Sequence, residues 1–505
     1  ARVNLASVLW SQGALDAARA RAEEAVAEIP ALAEAWVILG AIQLDSGLPL
    51  EAVEAYAQAS RLKPDLVAAR AGHAAALLAA GDAAAACNVA QAALAQDPTN
   101  AHAAGTLGIA LATLGETEAA IVVYDHAVQV DPCNARARLN RGNAKLDLDL
   151  IDAAEADMRA AITLDSALKE AHASLGFLLT LQGYLPEAIA ACEAALALDA
   201  EFAVAHWNLG VAALLEGDFQ RGFAEYEWRK RHPVFGRDFI RGTQPEWTGE
   251  PLEGRHLLVR AEQGFGDTIM LARFLPLLAR QAARVTLHCP RTVMPLLGNL
   301  GIGLVPLDEP PPQHDLMVDQ MSLPLRLGIT EATIPDRINY LTADPTRVAR
   351  WQAMLPSRLA RRVGLVWAGN PAHNNDRRRS LPNGALAPLL GLTDIHFVSL
   401  QVGARAGEYP ITDISPLLVD YAETAAVIAN LDAVVTVDTS VAHLAGAMGI
   451  PCHVLLSFAT DWRWQLRRPD SPWYASITLH RQADAGDWSG PIGSVMAALS
   501  RAESG

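Results

Sequence analysis

Asp438, Thr439, Ser440 and His443 stand together after a β-branched run, residues 434 to 437, and ahead of an Ala-rich segment closed by Gly449-Ile450-Pro451. The pattern predicts strand, tight turn, helix. Three residues suited to N-capping would open that helix at the carboxyl end of a strand, where unpaired backbone N–H groups attract phosphate. His443, one turn in, would reach an anion or a sugar hydroxyl. The same stretch also fits a buried βα unit with an internally satisfied histidine, so other segments have to weigh in.

Three further polar segments follow apolar runs. Residues 368 to 381 hold Asn374, Asn375 and the successive arginines Arg377, Arg378 and Arg379, a set able to neutralise a diphosphate or simply to form a solvated basic loop. Residues 401 to 405 begin with Gln401. Residues 262 to 268 combine the turn glycines Gly264 and Gly266 with Asp267, and Glu262 five residues earlier is the rival carboxylate. As a helix-opening residue Asp267 also suits a capping role. Lys230 is the last lysine, so Schiff-base chemistry is excluded from the second half and any phosphate clamp there uses guanidinium. An Asp-x-Asp pair for a divalent ion is missing from that half, and Asp147-Leu148-Asp149 falls in what reads as a repeat helix on the surface.

The elements that must position these residues differ between the halves. From His256 onward, short apolar runs alternate with helical segments. Strands are predicted at residues 256–260, 284–289, 315–319, 363–367, 396–400, 434–437 and 453–456, with a helix at 268–280. Alternation of this kind predicts two doubly wound parallel sheets in succession, with ligands at the carboxyl ends of strands and between domains.

Residues 1 to 236 instead repeat every 34 residues. Gly13, Gly47, Gly81, Gly115, Gly183 and Gly217 share one position, which Asp149 interrupts, while alanines fill two other positions and Pro30, Pro64, Pro98 and Pro132 a fourth. Small residues at fixed helical positions let antiparallel helices pack closely, and Gly and Pro end them. The pattern around Trp36, Gly40, Gly47, Ala52, Tyr56, Ala59 and Pro64 resembles the tetratricopeptide repeat, over about seven copies with the first truncated. It implies an α solenoid with a groove. Asn4, Asn140 and Asn208 occupy one repeat position, with Ile38, Gly72, Thr106 and Ser174 in its other copies. A row of amides there could hydrogen-bond the backbone of an extended polypeptide or merely face water, and in family terms it is similar to the asparagine ladder of protein O-GlcNAc transferases. The chain starts within a repeat, so further N-terminal repeats are expected.

The net charge is −16, nearly all of it in residues 1–236, which disfavours nucleic acid as a partner of the repeats. Five scattered cysteines with no CxxC pair argue against a disulfide framework or zinc site and suit a reducing cytoplasm. No apolar run approaches the roughly 20 residues of a membrane span. Aromatic residues Phe223, Tyr226, Trp228, Phe235, Phe239 and Trp247 beside Arg229, Lys230, Arg231, Arg237 and Arg241 predict a cap or joint near residues 237–255. A later aromatic cluster, Trp462, Trp464, Trp473 and Tyr474, is expected to pack a C-terminal helix on a sheet, with sugar or base stacking as the alternative.

Gly266-Asp267 opening a helix, the Arg-rich loop ending in Arg379-Ser380-Leu381-Pro382, and VDTSVAH at residues 437–443 resemble the signature regions of the heptosyltransferase family of lipopolysaccharide synthesis. Joined to tetratricopeptide repeats, the whole is similar to bacterial protein glycosyltransferases, including those thought to modify flagellins. The resemblance implies a GT-B fold of two Rossmann-like domains, an acceptor domain at 256–345 and a donor domain at 346–505. It also implies an inverting reaction with a nucleotide-sugar substrate, no metal and no cofactor. By position Asp267 matches the general base. Arg379 matches the cation on the donor phosphates, where the family usually has lysine, and Asn374 and Asn375 match phosphate contacts that are usually hydroxyls. Gln401, Asp438, Thr439, Ser440 and His443 complete the expected donor site. The expectation is a cytoplasmic glycosyltransferase acting on a Ser or Thr hydroxyl of a polypeptide held by the repeats. A glycan or lipid-linked acceptor and a non-catalytic scaffold are the alternatives.

Overall fold

The computed structural model describes residues 1–234, 236, 244–335, 339–355, 360–373, 375–403, 405 and 407–501. Its contacts divide the chain into two compact units, residues 1–178 with 194–200, and residues 179–193 with 201–505.

The first unit is a stack of antiparallel helix pairs, such as Ala33–Asp45 with Pro49–Leu62 and Ala101–Thr113 with Thr117–Val130. This is the tetratricopeptide-repeat solenoid that the 34-residue spacing predicts. Asp149 adopts φ 60°, the left-handed conformation that glycine supplies at φ 73–91° in the equivalent turns at Gly47, Gly81 and Gly115. It therefore lies beyond the helix Ala135–Asp147, and Asp147-Leu148-Asp149 is a helix terminus and turn rather than helix interior. Gly72 interrupts the amide row for a packing reason. A Cβ there would lie 2.2 Å from the Tyr56 ring, which is itself buried between Gly40 and Gly72. Asp157, 4% exposed, is held by Arg141 at 2.5 Å and Lys145 at 2.7 Å.

The second unit begins with the last helices of the array and continues into two wholly parallel sheets. Strands β1 (His256–Arg260), β2 (Arg284–Cys289), β3 (Gly303–Pro306) and β4 (Leu316–Asp319) form one, in the order β3-β2-β1-β4. Strands β5 (Arg361–Val366), β6 (Ile395–Ser399), β7 (Thr412–Asp413), β8 (Ala433–Val437), β9 (Cys452–Leu456) and β10 (Ile477–Arg481) form the other, in the order β10-β9-β8-β5-β6-β7. In each sheet the order reverses beside the first strand, between β1 and β4 or between β5 and β8, and crevices for ligands open at such reversals. The core of the six-stranded sheet joins Val363, Leu365, Val435, Val437 and Leu455 to Trp488 and to Val495 and Leu499 of the helix Ser489–Arg501.

The helix after β1 starts earlier than the sequence predicts and is broken. It runs Phe265–Leu271, tightens to a 3₁₀ turn at Ala272–Phe274 and resumes as Leu275–Ala279 with Pro276 in its first turn. Proline has no N–H for the preceding turn, so one uninterrupted helix cannot form. Beyond residues 237–243, which lie outside the described residues, the expected joint docks on β4: Glu246 pairs with Met317 and the Trp247 N–H donates to the Met317 carbonyl at 2.7 Å. Among the described residues no helix is long and apolar enough to cross a membrane.

Candidate functional site

The site is built where β1 and β8 end. Gly264 is the N-cap of Phe265–Leu271, and Asp267, three residues in, accepts the Gly264 N–H on Oδ2 at 2.9 Å. The capping role therefore exists, and Asp267 fills it from inside the first turn. Its other oxygen, Oδ1, accepts from Arg463, whose Nη1 donates to Asp461 at 2.8 Å. Gly266 faces the helix Ser440–Ala447, which follows β8. A Cβ on Gly266 would lie 2.7 Å from Cδ2 and 3.3 Å from Nε2 of His443, so only glycine permits this approach. Two helix starts, one from each sheet, are thus packed together.

His443 is buried. Burial, with Arg463 and Arg273 nearby, pushes its pKa down to about 3, so it is neutral at pH 7. The Tyr474 hydroxyl lies 3.0 Å from Nδ1, and it also accepts from Arg273 and meets the Tyr340 hydroxyl. The Nε2 edge of the ring faces Gly266. Arg273 is fully buried, donates to the Met270 and Trp473 carbonyls at 2.9 and 2.8 Å, and lies 4.6 and 4.8 Å from the Tyr340 and Tyr474 ring centres. Among the described residues no carboxylate pairs with it, so its charge is left to act on whatever lies beyond His443.

Asp438 ends β8. Burial, and then the Asp461 carboxylate, push its pKa up, while Arg379 and Arg463 oppose that shift. Asp461 is held low by Arg463 and a backbone N–H in spite of burial. Thr439 is the N-cap of Ser440–Ala447 but makes no side-chain cap, its hydroxyl being 2.9 Å from that of Thr436. The Ser440 hydroxyl pairs with Tyr421 at 2.7 Å. Among the described residues no side-chain cap bonds the start of this helix.

The other expected residues divide. Arg379 belongs to the same electrostatic group as Asp438, yet its Nε donates to Asp376 at 3.2 Å and its guanidinium lies against the Gly369 backbone. Asn375 is the N-cap of Asp376–Arg379, with a buried Oδ1 that has no partner, and Asn374 lies outside the described residues. Gln401 departs from its expected ligand role. Its Oε1 accepts the Trp367 and Ala368 N–H groups at 3.0 and 2.9 Å and its Nε2 donates to Val402, so the amide is consumed by the end of β5. Glu262 is not an available base either: Arg229 grips it through two bonds of 3.0 and 2.7 Å, and the Met321 N–H donates to it. Of the amide row, Asn4 is exposed and Asn140 half-buried, whereas Asn208 is only 5% exposed and offers no open amide.

Sequence reasoning missed Arg463 as a site residue and misplaced the aromatic cluster around it. Trp462 meets Phe223 and Tyr226 edge-on, Trp473 stacks on Phe219, and Trp464 stacks on His443 at 5.1 Å. The cluster binds the last repeat helix, Phe219–Tyr226, rather than a C-terminal helix. Tyr226 also accepts a 2.9 Å bond from Gln263, so the array's last helix holds the turn that carries Asp267.

Comparisons with known proteins agree with the repeat half. The pattern described as the cytochrome c-type biogenesis protein H TPR domain matches residues 24–138, and a tetratricopeptide repeat pattern matches residues 135–168. Protein FlbA of Caulobacter vibrioides (strain ATCC 19089 / CIP 103742 / CB 15) is 28% identical over 287 residues, covering 50% of this chain and 48% of that protein. The chain thus spans about half the length of this curated relative. Among solved structures, a tetratricopeptide repeat protein from Parabacteroides merdae ATCC 43184 is similar at 19% identity and TM-score 0.39, over 45% of this chain and 90% of that one. MamA is similar at 24% identity and TM-score 0.29, over 33% and 90%.

Proposed function

We propose that the chain is a glycosyltransferase that moves a sugar from a nucleotide-sugar to a Ser or Thr hydroxyl of a polypeptide bound by the repeats. The observation that carries this reading is the meeting of Asp267, His443 and the Arg463–Asp461 pair at the ends of β1 and β8. Attack by a hydroxyl on an anomeric carbon needs a base, and Asp267, in the first turn of Phe265–Leu271, is the carboxylate assigned to that role. The departing phosphate needs positive potential. The uncapped start of Ser440–Ala447 and the guanidinium of Arg379 would supply it, with His443 and the charge of Arg273 behind them.

One observation favours a second reading, a repeat scaffold with a transferase-like but inactive half. Both oxygens of Asp267 already accept hydrogen bonds, from the Gly264 N–H and from Arg463, so both are engaged before an acceptor hydroxyl arrives. Sugar transfer or donor hydrolysis by wild type and Asp267→Asn, measured over a panel of nucleotide-sugars, separates the two. A general base contributes about 10²–10⁴-fold, so a loss of that order is expected. Equal rates, or no turnover by wild type with any donor, favour the scaffold.

A further inference from the structure

A cavity of about 320 Å³ lies beside the last repeat turn, away from the residues assigned above, and falls in the range of small-molecule sites. Its walls are Leu185, Leu215 and Leu466, with Glu216, Gln465 and Arg467 as polar members. Two features of Gln465 set it apart from ordinary surface packing. It adopts φ 50°, ψ −176°, a conformation close to glycine-only territory that costs of order 1–3 kcal/mol in other residues. It is also 7% exposed, and its Nε2 is buried without a partner beside Gly217, while its Oε1 accepts from Arg468 at 3.1 Å. A strained backbone that holds an unpartnered donor at a cavity wall favours an acceptor there.

The remaining groups define that acceptor. Arg468 is neutralised by Glu331 at 2.6 Å and Asp470 at 2.8 Å. Arg467 is exposed, and among the described residues no carboxylate pairs with it. Glu216 is exposed on the opposite helix end. One free guanidinium, one amide donor, one carboxylate and three leucines are the complement of a zwitterion with an apolar side chain. We propose that this cavity binds a free α-amino acid with a branched apolar side chain. Its carboxylate goes to Arg467 and the Gln465 amide, its ammonium to Glu216, and its side chain to the leucines. The proposal goes beyond the transferase reading and does not depend on it.

Titration calorimetry of the full chain with L-leucine, L-leucinamide and N-acetyl-L-leucine tests this. L-leucine is expected to bind, and the two analogues, each lacking one charge, at least tenfold more weakly. Arg467→Glu, at an exposed position, should lose a similar factor without altering the melting temperature. Gln465→Gly should raise the melting temperature by removing the strain while weakening L-leucine. No saturable heat with L-leucine up to about 10 mM, equal affinity for leucinamide, or undiminished binding by both variants would overturn the assignment.

Discussion

Replacing Arg463 by methionine keeps an apolar stem against Trp462, whose ring centre is 4.3 Å from the guanidinium, and removes the charge shared by Asp267 and Asp461. Breaking a buried pair by deleting one partner costs about 3–5 kcal/mol, because the other charge stays behind unpaired. The Asp461 side chain is only partly buried, at 35% exposed, so the low end, about 3 kcal/mol at pH 7, is the expected loss. The sign with pH is fixed. In wild type the pKa of Asp461 is depressed, so the stability it contributes is present above the usual aspartate range and unchanged between pH 7 and 5. In Arg463→Met the orphaned carboxylates have raised pKa values and take up protons in the folded state as pH falls. The gap to wild type should therefore narrow by about 1 kcal/mol or more at pH 5. Urea unfolding followed by tryptophan fluorescence reads mainly the second unit, since of the eleven tryptophans only Trp10 and Trp36 lie outside it. Adding Asp267→Asn to Arg463→Met should recover part of the loss in a double-mutant cycle. A loss below about 1 kcal/mol, a gap independent of pH, or strict additivity would show that Arg463 does not neutralise the two carboxylates.

Tyr474→Phe removes the hydroxyl that meets Nδ1 of His443. The ring nitrogen left buried without a partner should lower stability by about 1–2 kcal/mol, read by urea unfolding. In the first unit, Gly72→Ala forces a methyl into the Tyr56 ring and should cost about 1–3 kcal/mol, read as a drop in the midpoint of helix unfolding by circular dichroism.

The repeat half is legible because its information is local. A small residue every 34 positions fixes where two helices touch, and glycine fixes each turn. Asp149 shows the limit of that reading, since a non-glycine can take the left-handed turn and leave no trace in composition. The buried strands β5, β8 and β9 announce themselves as apolar runs. The edge strands β3 and β10 do not: β3 has only Leu304 and Val305 between Gly303 and Pro306, residues that read as a turn, and β10 alternates polar and apolar residues. The turn glycines and Asp267 could be read because backbone geometry demands particular residues there. Arg463 could not, because its role exists only once folding brings it to Asp267, 196 positions away in the chain. The fate of Gln401 was hidden for the same reason: a polar residue at a strand end can serve a ligand or the neighbouring strand's backbone, and only tertiary structure decides.

The transferase reading requires the start of Ser440–Ala447, His443 and Arg379 to hold the diphosphate of a nucleotide. Equilibrium binding of nucleoside diphosphates to the full chain in the presence of EDTA, repeated with Arg379→Ala and His443→Ala, tests this. At least one nucleotide should bind with Kd below about 1 mM, and each substitution should weaken it by about tenfold. Absence of binding by every nucleotide, or binding indifferent to both substitutions, would contradict it.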